Sequence, residues 1–451
     1  MRVPGSPLSV LPYTRGCATL NRRIQDVWVR GGIDRGAVLE TVQSVLLGVA
    51  ILLLFQSTDL RDSNLLIVVW LVLALLRRAE ARPWSLLVLG LLVLNTRGVV
   101  LDEGPMPVSP VDYILMVAAF LSGYGRSQAW WLRQASVVAL ATMVGVLLHL
   151  EVVVDFARFG VEYSIAALTK NQTALLAGLA LICSVVGGLA CRPPLLRLLH
   201  GIALVAAALL LRAADSRAGL GMACLALLGA GLVVLATPLR ALGRRGPGRL
   251  RPPLLLVCAA LLAAGIGLWL FAHHQGGQGV APIEDGIVGQ MYGQENLEND
   301  AARLNLWGCY FGLPFTGDNR FIWGVGYEKA WRVWCNAEKL GRPLSHAHNF
   351  ILQVWGENGV AGALFVLSWL GWIVSRAIGN ARRLSLEGNP VMVFACLALI
   401  TYLIGFNLFE LGIMKVPLLL FCFGLFLASP FYSRPGAHQR EPALINPPLA
   451  G

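Results

Sequence analysis

The residues best suited to chemistry in this chain cluster around Ser345-His346-Ala347-His348-Asn349, followed by Phe350, Leu352, Trp355, Glu357, Gly359 and Gly362. Asn349 is a good helix N-cap, which puts His348 at the positive end of the helix that follows. That end favours an anion and disfavours an imidazolium, so the ring stays neutral, as a general base requires. His346 stands two residues earlier and is a second candidate. A histidine pair also suits a metal, but no third and fourth ligand stands at metal spacing and no Asp-x-Asp element is recognisable. A site without metal is therefore expected.

Other charges lie where lipid is expected, and ionisable groups at membrane depth are functional candidates by default. Asp215, Ser216 and Arg217 interrupt an apolar stretch from 198 to 236, as a local ion pair at a helix junction or as functional groups. Arg303 stands one helical turn from Trp307, either packed on that ring or facing a ligand. Lys170, Lys329, Lys339 and Lys415 are the chain's lysines. Arginine written for lysine accounts for their scarcity, and Lys170 is the one placed to meet an anionic ligand. Arg97 ends another apolar run. His149, Glu151 and Asp155 lie at the outer end of the fifth run, and His149 with Glu151 reads as a satisfied polar pair or as functional groups.

The elements that carry these residues follow from composition. Of 451 residues, 56% are apolar or aromatic and 14% are charged. A soluble protein carries about a quarter charged residues, so one soluble domain is excluded, and so is disorder. Apolar runs near 37–55, 65–76, 84–101, 111–123, 135–154, 173–190, 195–211, 218–236, 254–271, 349–375, 390–408 and 415–431 each approach the roughly 20 residues a span needs. An all-α polytopic membrane protein of about twelve spans is expected. The leader 1–36 contains arginine and shows no convincing cleavage site, so the first run reads as a retained span. Arginines fall in alternate loops, including Arg77, Arg126, Arg197, Arg244 and Arg376, which puts both termini inside. The net charge of +11 then reports topology, and no nucleic-acid partner is expected. This divides the chain into the leader 1–36, nine helices over 37–271, an outer loop 272–348, three helices over 349–431 and a tail 432–451.

The outer loop holds eight acids against six bases and many aromatic residues. It suits either an interfacial cap or a carbohydrate site. Leu304, Trp307 and Phe311 recur at helical spacing, so 299–311 reads as an amphipathic helix lying on the bilayer. Cys309 and Cys335 are the loop's cysteines and can pair in an oxidising compartment. The other seven read as apolar filler.

The pattern His348-Asn349-x-x-Leu352-x-x-x-x-Glu357-x-Gly359-x-x-Gly362 resembles the signature of the O-antigen ligase and polymerase superfamily. Ser216-Arg217-Ala218-Gly219 resembles its Ser-Arg element, with alanine where glycine is common. Arg303 with Trp307, leading to Gly324-Val325-Gly326-Tyr327, resembles the arginine and Gly-x-Gly of its large loop, and Lys170-Asn171-Gln172 resembles a turn that opens a mid-chain span. The resemblance implies a GT-C-like fold in the bacterial inner membrane with a periplasmic active site. It also implies transfer of a glycan from undecaprenyl pyrophosphate to lipid A-core, with inversion and without metal, cofactor or nucleotide sugar. Arg217 and Arg303 then clamp the pyrophosphate, with Lys170 assisting, and His348 takes the acceptor proton. His346, Asn349, Asp215 and Arg97 are secondary candidates. Glu357, about 13.5 Å along the helix from His348, is too deep to orient it and is expected to be structural.

An O-antigen or exopolysaccharide polymerase and a protein O-oligosaccharyltransferase share this chemistry. A twelve-span transporter is the reading from another class. It would show two six-span halves, whereas here the long loop follows the ninth span and no internal repeat is visible.

Overall fold

The computed structural model describes residues 35–56, 61–76, 111–159, 168–191, 193–241, 294–317, 320–326, 347–387, 389–410 and 416–431, with positions 164, 165, 330, 334 and 335. Its helices are α1 Arg35–Gln56, α2 Arg61–Leu76, α3 Val111–Gly123, α4 Gln128–Leu148, α5 Leu150–Phe159, α6 Lys170–Ala190, α7 Pro194–Ala213, α8 Arg217–Ala241, α9 Gln294–Gly312, α10 Phe350–Glu387, α11 Pro390–Phe409 and α12 Pro417–Leu427. Short polar residues start several of them by satisfying orphan N–H groups of the first turn. Ser127 Oγ accepts from Trp130 N at 3.2 Å, and Asn389 Oδ1 accepts from Met392 N at 3.3 Å. Thr169 and Gln172 form a full capping box at the head of α6. Proline opens α7, α11 and α12, where its missing N–H costs nothing.

Among the described residues there is no strand, and seven helices are long and apolar enough to cross a membrane: those within α1, α4, α6, α7, α8, α10 and α11. Shorter apolar helices occur at Asn64–Leu73 in α2 and in α12. The chain is thus an all-α, multi-pass membrane protein. The expected spans 84–101 and 254–271 and the tail 432–451 lie outside the described residues.

The expected span 135–154 is instead two helices, because α4 ends at Leu148 and α5 starts at Leu150. His149 caps α4, turning its N–H back to Leu147 and Val146. Glu151 and Asp155 of α5 are exposed while Val153 is buried, so α5 has a charged face that lipid would not accept. The ring of His149 stacks near Phe55 with centroids 6.3 Å apart, and its Nε2 lies 3.5 Å from Gln56 Nε2. The imidazole thus turns to α1 and not to Glu151.

Helix α6 is the axis of the bundle. It packs against α4, α7, α8 and α11, and 83% of its spanning window is buried. Outer helices keep lipid-facing side chains such as Leu195, Leu198, Val205, Leu225 and Leu232 exposed. Tyr402 of α11 lies over Gly178 of α6, where a Cβ would collide with the phenol. Its hydroxyl donates to Ala174 O at 2.8 Å. This contact sets the head of α6 beside the end of α11. At the opposite end of the bundle Asn389 donates to Gln128 Oε1 at 3.2 Å. Arg126, Arg133, Arg197, Arg382 and Arg383 belong to that end by helix direction, well away from His348.

Helix α10 is broken at Gly359, whose φ is 61°. The break releases carbonyls that the segment after α9 takes up: Val325 N donates to Gly356 O at 3.0 Å and Gly326 N to Glu357 O at 2.9 Å. Gly324, with φ of 71°, faces the backbone of Glu357 and Asn358, while Gly359 faces Ile322 and Gly324. Only glycine fits this contact at either position. The buried face of α9 is Leu306 and Tyr310, which join Leu313, Val325, Ala330, Cys335 and Ala347 in a small second core. The helix is longer than the expected 299–311. Leu304 and Phe311 are exposed and Trp307 is half-buried, but α9 runs alongside the start of α10, through Trp307 to Ala347 and Phe311 to Trp355. Cys309 and Cys335 form a disulfide that ties α9 to the chain leading to His348.

Candidate active site

His348 lies just before α10 in the left-handed region, with φ of 52°. The other non-glycine residue with positive φ among the described residues is Asp215, at 47°. Such backbone costs about 1–3 kcal/mol and persists where surrounding contacts over-determine it. Those contacts are present on both sides of His348. Asn349 Oδ1 accepts from Leu352 N at 3.0 Å, the expected cap, while its Nδ2 donates to Leu408 O at 2.8 Å. Ala347 N donates to Gln353 Oε1 at 2.8 Å, and Ala347 O accepts from Trp307 Nε1 at 2.7 Å. Gln353 in turn donates Nε2 to the buried Glu357. Glu357 therefore acts on the turn through Gln353 and does not touch the histidine, as its depth implied.

The partner of His348 is Glu410, the residue that ends α11. Its Oε2 lies 3.0 Å from His348 Nδ1 and accepts from Asn171 Nδ2 at 2.8 Å. Its Oε1 lies 2.6 Å from Arg303 Nη2. Arg303 is thus directed to a carboxylate and not onto the Trp307 ring, whose N–H serves Ala347. The carboxylate is 4% exposed, and the C-terminal end of a helix is itself partly negative. Without these donors an ionised Glu410 would be costly there. The group is one unit: a histidine held through Nδ1, a cation on the opposite carboxylate oxygen, and an amide completing the set.

The remaining cations stand at neighbouring helix heads. Ser216 caps α8, its Oγ accepting from Gly219 N at 3.2 Å, and Arg217 is exposed at the first position of that helix. Gly219 packs on Ala174 of α6, four residues after Lys170, so the heads of α6 and α8 are adjacent. Two adjacent N-termini and two cations make this end of the bundle attractive to an anion. Asp215 lies 3.6 Å from Arg212 Nη1, so the carboxylate has a partner on α7 that the sequence reading did not name. Arg97 and His346 lie outside the described residues. Among the described residues no three His, Cys, Asp or Glu side chains converge as metal ligands would.

Glu410 and Asn171 are the site residues that sequence reasoning missed as functional groups. A signal existed for Glu410, since an acid ending a 20-residue apolar helix is costly unless paired. It read as a loop residue because nothing near it in sequence marks its partners, which stand 62 and 239 positions away.

Residues 202–367 match the family model described as O-antigen ligase. No curated protein matches the chain. The matched segment holds Arg217, Arg303 and His348, whereas Asn171 and Glu410 lie outside it. Residues 202–367, which carry Arg217, Arg303 and His348, are thus similar to the O-antigen ligase family over a little more than a third of the chain.

Proposed function

We propose that this membrane enzyme, of the ligase/polymerase class of glycan transferases, is an O-antigen ligase. It moves a glycan from undecaprenyl pyrophosphate to a sugar hydroxyl of lipid A-core at the periplasmic face of the inner membrane. The observation that carries the reading is the single carboxylate shared by His348 and Arg303.

A hydroxyl attacking an anomeric carbon must lose a proton, and a pyrophosphate leaving it must be held by charge. Nδ1–H of His348 donates to Glu410, which fixes the tautomer and leaves Nε2 as the lone-pair nitrogen. Nε2 takes the acceptor proton as the new C–O bond forms and the anomeric C–O bond to pyrophosphate breaks. Attack opposite the leaving group inverts the centre. Arg303 contacts Glu410 through one edge, and a guanidinium has five N–H donors, so another edge can grip a phosphate. Arg217, at the positive head of α8, faces the same anion, with Lys170 assisting. Glu410 thus orients the base and holds Arg303 ready before the donor arrives.

The test is transfer by purified protein from lipid-linked glycan to lipid A-core. His348→Ala is expected to lower turnover by about 10²–10⁴-fold. Wild-type turnover in that variant would sink the assignment. Arg217→Ala and Arg303→Ala are expected to weaken donor binding as well as turnover. In a deletion strain, full-length glycan on the lipid carrier with bare core supports the ligase, and single repeats on core would mean a polymerase.

A further inference from the structure

The chain between α9 and α10 does not stay level with His348. Trp307 is hydrogen-bonded to Ala347, beside the histidine. One turn later Phe311 O accepts from Trp355 Nε1 at 3.0 Å, and then Val325 and Gly326 bond to Gly356 and Glu357. These contacts step from residue 347, just before α10, to residue 357, seven residues into it, a descent of about 10 Å along the helix at 1.5 Å per residue. The segment is therefore re-entrant, held against the break in α10 by the Gly324–Gly359 contact.

Its outward surface is a ledge of rings. Phe311, Phe315, Phe321 and Ile322 are between 44% and 59% exposed. Phe311 stacks on Trp355 with centroids 5.8 Å apart, and Phe315 lies 5.9 Å from Phe311 and 5.7 Å from Phe321. The next basic residue along α10 is Arg376, 21 positions beyond Trp355. The break at Gly359 falls within that interval. The helix from Gly359 to Arg376 is about 25 Å long and Trp355 stands one turn before it, which comes close to a hydrocarbon core of about 30 Å. Between Trp355 and Arg376 the ionisable residue is Glu357, which is fully buried. With Arg376 at one lipid boundary, the ledge stands at the other, where aromatic side chains are favoured. Lipid-facing surface continues below it at Leu364 and Leu367.

We infer that Phe311, Phe315, Phe321 and Ile322 form a membrane-docking ledge whose partner is phospholipid, at the headgroup–acyl boundary of the leaflet on the His348 side. Exposed apolar side chains dominate the ledge. The cation beside them, Arg320, which donates to Thr316 Oγ1 at 3.2 Å and lies over the Trp334 ring, suits a phospholipid headgroup. The Trp355 N–H is spent on Phe311, and the Thr316 hydroxyl donates to Leu313 O at 2.7 Å. Docking there sets the height of the site. His348 stands just before α10, whose first residue is about 8 Å above Trp355, and Arg303 stands about 12 Å before Phe311 along α9, both at phosphate level.

The test replaces Phe315 or Phe321 singly with p-benzoylphenylalanine, with the same replacement at Leu364 as a lipid-exposed control. Full-length protein in nanodiscs of phosphatidylethanolamine and phosphatidylglycerol is irradiated and its adducts are identified by mass spectrometry. Phospholipid adducts at both ledge positions, in yield like that at Leu364, are expected. Lipid adducts at Leu364 alone, with the ledge joined to a second copy, to added glycan or to nothing, would overturn the inference. Crosslinking needs no turnover, so the outcome is independent of the proposed glycan transfer.

Discussion

Glu410 is an acid buried at a helix C-terminus, and its two oxygens meet Arg303, His348 and Asn171. Glu410→Gln keeps the size of the side chain but removes its charge and gives one end a donor that faces a cation. We expect kcat to fall by on the order of 10²-fold, within the usual range for a disabled general base, and donor KM to rise as well, because the same carboxylate holds Arg303. Steady-state kinetics that showed a higher donor KM and an unchanged kcat would instead assign Glu410 to Arg303 alone. His348, Asn349 and Arg303 stood out by residue type and spacing, as did Arg217, which lies at the head of α8. The carboxylate shared by His348 and Arg303 did not, because a long-range pair leaves no local pattern.

The helices differ in how openly they were written. The Asn349 cap was readable. Ser127, Thr169 and Asn389 also satisfy N–H groups within their own first turns, but the apolar runs put the first two starts at 135 and 173 instead of 128 and 170. The division at His149 was not readable, because an average of apolarity over 135–154 hides one charged face on α5. The break at Gly359 belongs with it: two glycines stood in the motif, but the left-handed one was identified by the backbone packed on it. Gly359→Ala places a Cβ against Ile322 and Gly324 at positive φ. We expect it to destabilise the protein by at least about 2 kcal/mol, read as a lower midpoint of thermal unfolding in detergent. Thr169→Ala, which removes only a cap, should cost about 1 kcal/mol in the same assay. An unshifted midpoint for Gly359→Ala would mean that the loop does not bear on α10.

Over the whole chain, the loop that carries Arg303 is joined to the bundle by the Gly324–Gly359 contact and by Trp307 on Ala347, and it is closed on itself by the Cys309–Cys335 disulfide. The bridge closes a separation of 26 residues, for which chain entropy gives about 3.5 kcal/mol. The double variant Cys309→Ser, Cys335→Ser should lose activity at a lower temperature than wild type while keeping most of its low-temperature turnover. Equal loss at all temperatures would make the bridge part of the site. By itself the sequence determined the solvent, the helical class, the arginine-rich end and the residue types of the site, since hydropathy and charge act locally along the chain. Only the tertiary structure decided that α6 and α11 meet head to end, and so which acid serves the histidine. Lipid does not distinguish one apolar face from another, so helix pairing rests on shape, here Tyr402 seated on Gly178.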